Sequence, residues 1–559
     1  MGPFEGLLFN LLLAAGLLLL VRDQSTKQLW PRQCAIALML ALTFVYVMWR
    51  LDVTLPSFAW TPRSVWPWLF FGCEAAQIGY EVWSWIVLLQ QSNHSPTADV
   101  YERRLRRETA LPSVDVFIPT YSEGPEILEA TIRGALALDY SGSVRIWVLD
   151  DKRRPWLKEL CATMAAGYLA RPTHEHGKAG NLNYALPRTH GAFIVVIDAD
   201  FVLEKQFLFR TMGFLLYERG IGLVQTPQNF HNPDPVQHNL FGSKAWTEEQ
   251  NFFMTVVQPA RDAYENAFCV GSGWVIRREL LEELGGFPQQ SICEDLEISY
   301  VLKARGHRTL FLNEQLAWGL APESVPEYIK QRIRWCCGTL QHLFLDTGPL
   351  RARGLSWRDR LFYFEPIVFW LTYPFVLLVF VAPVIFWFTG IPAMENASDG
   401  FLVFMLPRLI VIHVAMCWLS DGKVMPIVST IQKMLPVFYQ AAEVSKFFFA
   451  PFGRPFNVTT KGHQRDQIVV QWSILRMFLI LFVLLSVGIL MNLTGYHEIV
   501  KSTELTVFDV SWTVYTLLVL LLCMLACVEL PRGSLCDSTR TAQGDALRAM
   551  RALLFRLFS

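Results

Sequence analysis

The chain has 559 residues, of which 52% are hydrophobic and 18% charged, with a mean hydropathy of +0.30. That balance excludes an ordinary soluble protein and points to several membrane spans. The formal net charge is zero, which gives no global attraction to nucleic acid.

Long apolar runs occupy residues 4–21, 34–49, 66–89, 361–389, 401–419, 469–493 and 511–530, each near the roughly 20 residues a helix needs to cross a bilayer. The first carries Glu5 and has no basic segment before it, which argues against a cleaved signal peptide. Basic residues cluster after the first run (Arg22, Lys27, Arg32), after the third (Arg103, Arg104, Arg106, Arg107), before the fourth (Arg351, Arg353, Arg358, Arg360) and between the fifth and sixth (Lys423, Lys433, Lys446, Arg454, Lys461, Arg465). Residues 391–400 contain no Lys or Arg. The positive-inside rule then places the basic segments in the cytoplasm and the N-terminus outside. Arg50, Arg63 and Lys501 are the minority on the outer side.

The expected organisation is a three-helix membrane region (1–110), a cytoplasmic domain (111–345), a four-helix membrane region with interface helices (346–530) and a cytoplasmic tail (531–559). In the tail, Leu547, Met550, Leu554 and Leu557 fall near one helical face, which suits either an amphipathic helix on membrane lipid or a frayed terminus. Glu74, Gln77 and Glu81 share one face of the third span, either lining a path or pairing with Arg groups in the bundle. The eleven cysteines show no metal-site spacing and read as mostly buried thiols in a reduced compartment.

In the cytoplasmic domain, Val114–Pro119, Val144–Asp151 and Ala192–Asp200 read as buried strands. Residues 123–138 and 156–168 between them have helical patterning. Strand–helix alternation predicts an open parallel α/β sheet, in which ligands sit beyond the carboxyl ends of strands. Two of these strands end in acidic pairs. Asp198-Ala-Asp200 offers two carboxylates one pleat apart, suited to a hard cation that neutralises a diphosphate, although acidic residues are common after strands. Glu294-Asp295 offers either a general base or an acidic first turn of a helix. Gln331-Arg332-Ile-Arg334-Trp335 supplies amide, guanidinium and indole groups, suited to diphosphate and sugar or to a membrane interface.

The order of these pieces is more specific than any one of them. Asp151, Asp198-Ala-Asp200, Glu294-Asp295 and Gln331-x-x-Arg334-Trp335 resemble the D, DxD, xED and QxxRW series of processive family 2 glycosyltransferases. Flanking stretches narrow the resemblance to bacterial cellulose synthase catalytic subunits: Ile118-Pro-Thr-Tyr-Ser-Glu123, Lys178-Ala-Gly-Asn181, Gln225-Thr-Pro-Gln-Asn-Phe230 with Asn232-Pro-Asp-Pro235, and Phe268-Cys-Val-Gly-Ser272. Phe456-Asn-Val458-Thr459-Thr-Lys461 is similar to the family's FxVTxK gating loop.

The resemblance implies a GT-A-type catalytic domain set between membrane helices in a bacterial inner (plasma) membrane. It implies a UDP-sugar-dependent, inverting hexosyltransferase that makes and secretes a β-glucan. Tyr121, Glu123 and Asp151 would contact uridine, and Lys178 and Asp198 would seat the UDP. Asp200, with Asp198, would ligate Mg²⁺ or Mn²⁺, Asp295 would be the general base, and Arg334 would face the diphosphate. Phe268, Cys269, Gln331 and Trp335 would border the acceptor glucan, while Phe456, Val458, Thr459 and Lys461 would close over the donor.

Relatives that respond to cyclic-di-GMP carry a PilZ domain after the last span. About thirty residues follow Leu530 here, so no cyclic-di-GMP site is expected on this chain. Asp150-Asp151 lacks the following glycine common in the family. A periplasmic accessory protein is an expectation of the resemblance alone. UDP-glucose is the expected donor and cellulose-like β-1,4-glucan the leading product; curdlan-like β-1,3-glucan or mixed-linkage glucan follows closely, and a hyaluronan- or chitin-type product further behind. From other classes, a non-processive lipid-linked transferase is opposed by Gln331, Arg334 and Trp335. A transporter is opposed by acidic clusters lying outside the spans.

Overall fold

The computed structural model describes residues 3–21, 24–453, 461–462, 465–494, 499–500 and 505–532. Its cytoplasmic domain is built on β1 (Val114–Thr120), β2 (Val144–Asp150), β3 (Gly167–Leu169), β4 (Phe193–Val196), β5 (Val202–Leu203), β6 (Ile221–Gln225), β7 (Gln228–Phe230), β8 (Trp274–Arg277), β9 (Arg308–Phe311) and β10 (Ala317–Gly319). Seven form one sheet in the order β3-β2-β1-β4-β8-β6-β9, and β5-β10-β7 form a smaller one. Both faces of the large sheet are covered, by the apolar cluster around Val116, Ile118, Val195 and Phe214 and by that around Phe117, Ile194, Leu182 and Ile276. Burial on both faces accounts for the near-continuous apolar runs of β1 and β4.

The structure departs from the sequence expectation in three places, the first being that the strand expected over Ala192–Asp200 ends at Val196, so Asp198 and Asp200 lie in the turn beyond it and not one pleat apart on a strand. The sheet is mixed: β3, β2, β1 and β4 run parallel, but β8 is antiparallel to both β4 and β6. The chain reverses into β8 through Gly271 and Gly273, at φ +99° and +69°. The helix expected over 156–168 spans Pro155–Thr163, and the chain then leaves helical geometry at Ala165, φ +56°. Gly167 then pairs in β3, where a Cβ would lie 2.3 Å from the Trp147 ring.

Every apolar run forms a helix. Among the described residues, Leu29–Thr54, Trp357–Thr389, Phe401–Leu419, Trp472–Leu493 and Val507–Ala526 are long and apolar enough to cross a membrane. Pro3–Val21 and the more polar Pro62–Val87 match the other two runs. The run ending at 530 stops helically at Ala526, because Val528–Glu529 pairs with Val469–Val470 as a short ribbon. This makes a multi-pass membrane protein with a cytoplasmic α/β domain.

Domain and bundle are pinned together by buried polar contacts. Arg261 pairs with Glu365 at 2.8 Å, and Asn239 donates to the Ala526 carbonyl at 2.8 Å. Within the bundle, Glu74 accepts from Arg50 at 2.9 Å and from the Tyr46 hydroxyl, and Glu81 pairs with Arg408 at 2.9 Å. Two of the three polar side chains on the Pro62–Val87 face therefore pair with arginine; Gln77 turns back to the Cys73 carbonyl. Replacing Arg50 by Met should lower the melting temperature in detergent, by a loss of about 3–5 kcal/mol, because Glu74 is left in the bundle without its partner. The Arg50→Met/Glu74→Met double variant should recover most of that loss in the same melt.

Candidate active site

The order 3-2-1-4 reverses direction between β1 and β4, which opens a crevice beyond the carboxyl ends of these strands. The turn after β1 wraps the Glu123 carboxylate, whose Oε2 accepts from Thr120 Oγ1 at 2.6 Å and from the amides of Tyr121 at 2.9 Å and Ser122 at 3.1 Å. The exposed Tyr121 ring has Lys152 Nζ 4.5 Å from its centroid.

The acidic pair after β2 divides its work. Asp150 is fully buried and builds its own loop, accepting from the amides of Lys152 at 2.9 Å and Arg154 at 2.6 Å and from Tyr168 Oη at 2.9 Å. These contacts hold a loop that lacks the expected glycine. Asp151 instead takes a forked ion pair from Arg171, with Oδ2 accepting from Nη2 at 2.8 Å.

The centre of the site is Lys178, second residue of the helix Gly177–Ala185. Its ammonium donates to Asp198 Oδ1 at 2.5 Å and to the Gly271 carbonyl at 2.6 Å, and lies 3.8 Å from Glu294 Oε1. Burial alone would lower its pKa; Asp198, Glu294 and Asp295 outweigh that and raise it. Asp200 pairs with Lys461, which also donates to the Leu320 carbonyl at 2.6 Å. Burial raises the Asp200 pKa against the pull of Lys461, with Asp198 adding to the rise. Among the described residues, no group of three or more His, Cys, Asp or Glu stands together as a metal site.

Glu294 and Asp295 open the helix Glu294–Ala304, so the acidic first turn and the site carboxylates are the same residues. Burial raises both carboxyls, more than Lys178 lowers them. Gly271 packs against Asp295: a Cβ there would lie 2.8 Å from Oδ2. The neighbouring Phe268 and Cys269 are buried, and the Cys269 amide donates to Ser299 Oγ at 2.8 Å. Burial pushes the Cys269 thiol well up, leaving it a packing group.

Gln331, Arg334 and Trp335 lie on the helix Val325–Gln341. Gln331 is buried and, among the described residues, its Oε1 has no hydrogen-bond partner, which marks a place for a donor hydroxyl. Trp335 packs beside Phe268, Cys293 and Leu296. Arg334 lies close enough to Asp295 to lower its pKa. The structure thus joins Lys178, Asp198, Glu294 and Asp295, with Arg334 near Asp295 and Lys461 on Asp200; Tyr121, Glu123 and Asp151 follow β1 and β2, and Gln331 and Trp335 share the helix of Arg334. Phe456, Val458 and Thr459, like the tail residues Leu547, Met550, Leu554 and Leu557, lie outside the described residues.

Sequence reading missed Arg171 and the role of Ser272, whose hydroxyl accepts the Asp198 amide at 2.9 Å. Arg171 belongs to none of the motif strings. Ser272 belongs to the Phe268–Ser272 stretch, expected to border the acceptor, one residue past the Gly271 carbonyl that holds Lys178.

Residues 112–338 match the model of the glycosyltransferase-like family 2, and residues 282–421 match that of cellulose synthase. The chain is 32% identical over 503 residues to the cellulose synthase catalytic subunit [UDP-forming] of Pseudomonas fluorescens, covering 88% of this chain and 66% of that one. It is 35% identical over 352 residues to cellulose synthase 1 of Komagataeibacter xylinus, covering 63% and 23%. The chain thus spans less than two thirds of the length of these relatives. Among solved structures, the mannosyltransferase PcManGT from Pyrobaculum calidifontis, in complex with GDP-Man and Mn²⁺, aligns with TM-score 0.39 at 19% identity over 66% of this chain and 97% of that one.

Gly271→Ala should destabilise the domain by about 1–3 kcal/mol from its backbone conformation alone. Its methyl group should also displace Asp295. Thermal unfolding reads the first effect, and the activity of the folded fraction reads the second.

Proposed function

Since this chain belongs to the family 2 glycosyltransferases related to bacterial cellulose synthase catalytic subunits, we propose that it polymerises glucose from UDP-glucose into a β-glucan and passes the chain out through its membrane helices. The observation that carries this reading is the Lys178 ammonium, which touches Asp198 on the donor side and stands 3.8 Å from Glu294 beside Asp295. Donor seat and general base are one electrostatic unit.

Tyr121, Glu123 and Asp151 border the uridine, and Lys178 and Arg334 face the diphosphate. Asp198 and Asp200 form a two-carboxylate oxygen donor set, the kind that holds Mg²⁺ or Mn²⁺ together with substrate phosphate oxygens. Such a cation would stabilise the negative charge gathering on the leaving diphosphate. Asp295 removes the proton from the acceptor hydroxyl as that oxygen bonds to the anomeric carbon. The bond from that carbon to the diphosphate oxygen breaks, UDP leaves with the bonding pair, and the configuration inverts. Gln331 Oε1 accepts from a glucan hydroxyl and Trp335 supports the sugar ring, with Phe268 in the cluster it packs against and Cys269 next to Phe268 in the chain. Lys461, the last residue of the Phe456–Lys461 motif, stands on the donor side, a place its contact with Asp200 supports. β-1,4 linkage is favoured by the similarity to cellulose synthases, with β-1,3 or mixed linkage following closely because the same motifs serve all three.

Purified protein in lipid, given UDP-glucose and Mg²⁺ or Mn²⁺, should make polymer. Asp295→Asn should reduce synthesis by about 10²–10⁴-fold while UDP still binds; wild-type turnover in that variant would remove Asp295 as the base. The base works only when ionised, and the Asp295 pKa lies above the ordinary value of about 3.9. Turnover should therefore be complete at higher pH and fall as pH drops through that raised pKa. A pH–rate profile whose acid limb sits at or below an ordinary aspartate would contradict the assignment.

A further inference from the structure

Arg171 is 3% exposed and lies outside every motif, yet it ties together two parts of the site. Its guanidinium forks onto both oxygens of Asp151 at the end of β2. Its Nη1 donates to the Glu175 carbonyl at 2.5 Å and its Nη2 to the Gly177 carbonyl at 2.8 Å. These two carbonyls belong to a tight turn in which His176 and Gly177 both adopt left-handed conformations, at φ +57° and +49°. A non-glycine residue there persists only where its surroundings over-determine it. Lys178 follows immediately. Gly180 closes the unit from behind: a Cβ on it would lie 2.1 Å from the Glu175 carbonyl oxygen and 2.4 Å from Arg171 Nη1.

Asp151 is therefore no free acid. Each of its oxygens accepts one guanidinium N–H, and each retains a second lone pair. The fork aims the carboxylate and leaves it able to accept one more N–H. Uracil presents such a donor at N3, where cytosine presents an acceptor.

We propose that Arg171 is a positioning residue that locks Asp151 and the turn carrying Lys178 into one unit, so that recognition of the uracil imide fixes the ammonium that serves the diphosphate. This rests on the UDP-sugar reading above. Lysine keeps the charge but cannot make the fork, so a role in bulk charge is rescued by lysine and a role in positioning is not.

The test uses the full chain in lipid nanodiscs. Isothermal titration with UDP and with CDP should give wild-type preference for UDP. In Arg171→Lys the UDP affinity should fall on the order of tenfold, the loss of one charge-assisted hydrogen bond. The UDP/CDP ratio should fall with it, while the melting temperature stays within about 2 °C of wild type. Gly180→Ala, which keeps Arg171 but crowds it, should reproduce the loss of UDP preference. An Arg171→Lys protein that binds and discriminates as wild type does, or loses affinity only through a collapsed unfolding transition, overturns the proposal. Wild-type protein that binds no UDP overturns the donor reading and this inference together; unchanged binding in the variant overturns this inference alone.

Discussion

The site depends on charge compensation in a confined space. Asp198, Asp200, Glu294 and Asp295 converge from one strand end and one helix start, and like charges this close and this buried cannot all ionise without cations among them. At 4 Å, with an effective dielectric of about 20, each such contact is worth about 4 kcal/mol in either direction. Lys178 supplies the compensating charge for Asp198 and Glu294, and Lys461 supplies it for Asp200. The ammonium of Lys178 can do so because the helix Gly177–Ala185 is itself fixed, with Asn181 donating to the Leu149 carbonyl of β2 at 2.7 Å. The sheet, the helix and the acid cluster thus hold one another in register.

The same economy links the domain to the membrane bundle. Glu529, just past the last membrane helix, accepts from the Val325 amide at 2.6 Å and pairs with Arg465 and Gln471. Val325 begins the helix that carries Gln331, Arg334 and Trp335. The helix carrying Gln331, Arg334 and Trp335 is therefore tied to the end of a membrane helix, while Asp151 and Asp198 follow strands of the sheet.

Much of this was legible in the sequence where one residue type has one physical use. Runs of apolar residues gave the spans, buried β-branched strings gave β1, β2 and β4, and acids at strand ends gave the crevice. What stayed hidden was set by tertiary pairing. Gly167 joins β3 because Trp147 leaves no room for a side chain, a contact between residues twenty apart. Asp150 and Asp151 look equivalent in the chain, yet one builds a loop and the other meets Arg171. The antiparallel β8 followed from a glycine turn that the sequence reading had recognised only as a motif. Glu74 and Glu81 looked open to two readings until Arg50 and Arg408 arrived from other helices.

The most direct test of the account is the chemical identity of the product. Polymer made from UDP-glucose by the purified full chain in lipid should be degraded by an endo-β-1,4-glucanase and resist an endo-β-1,3-glucanase. Polymer with the reverse susceptibility would replace the linkage assignment. Failure to obtain polymer from any UDP-sugar would contradict the central claim that the Lys178-centred site is a processive glycosyl-transfer centre.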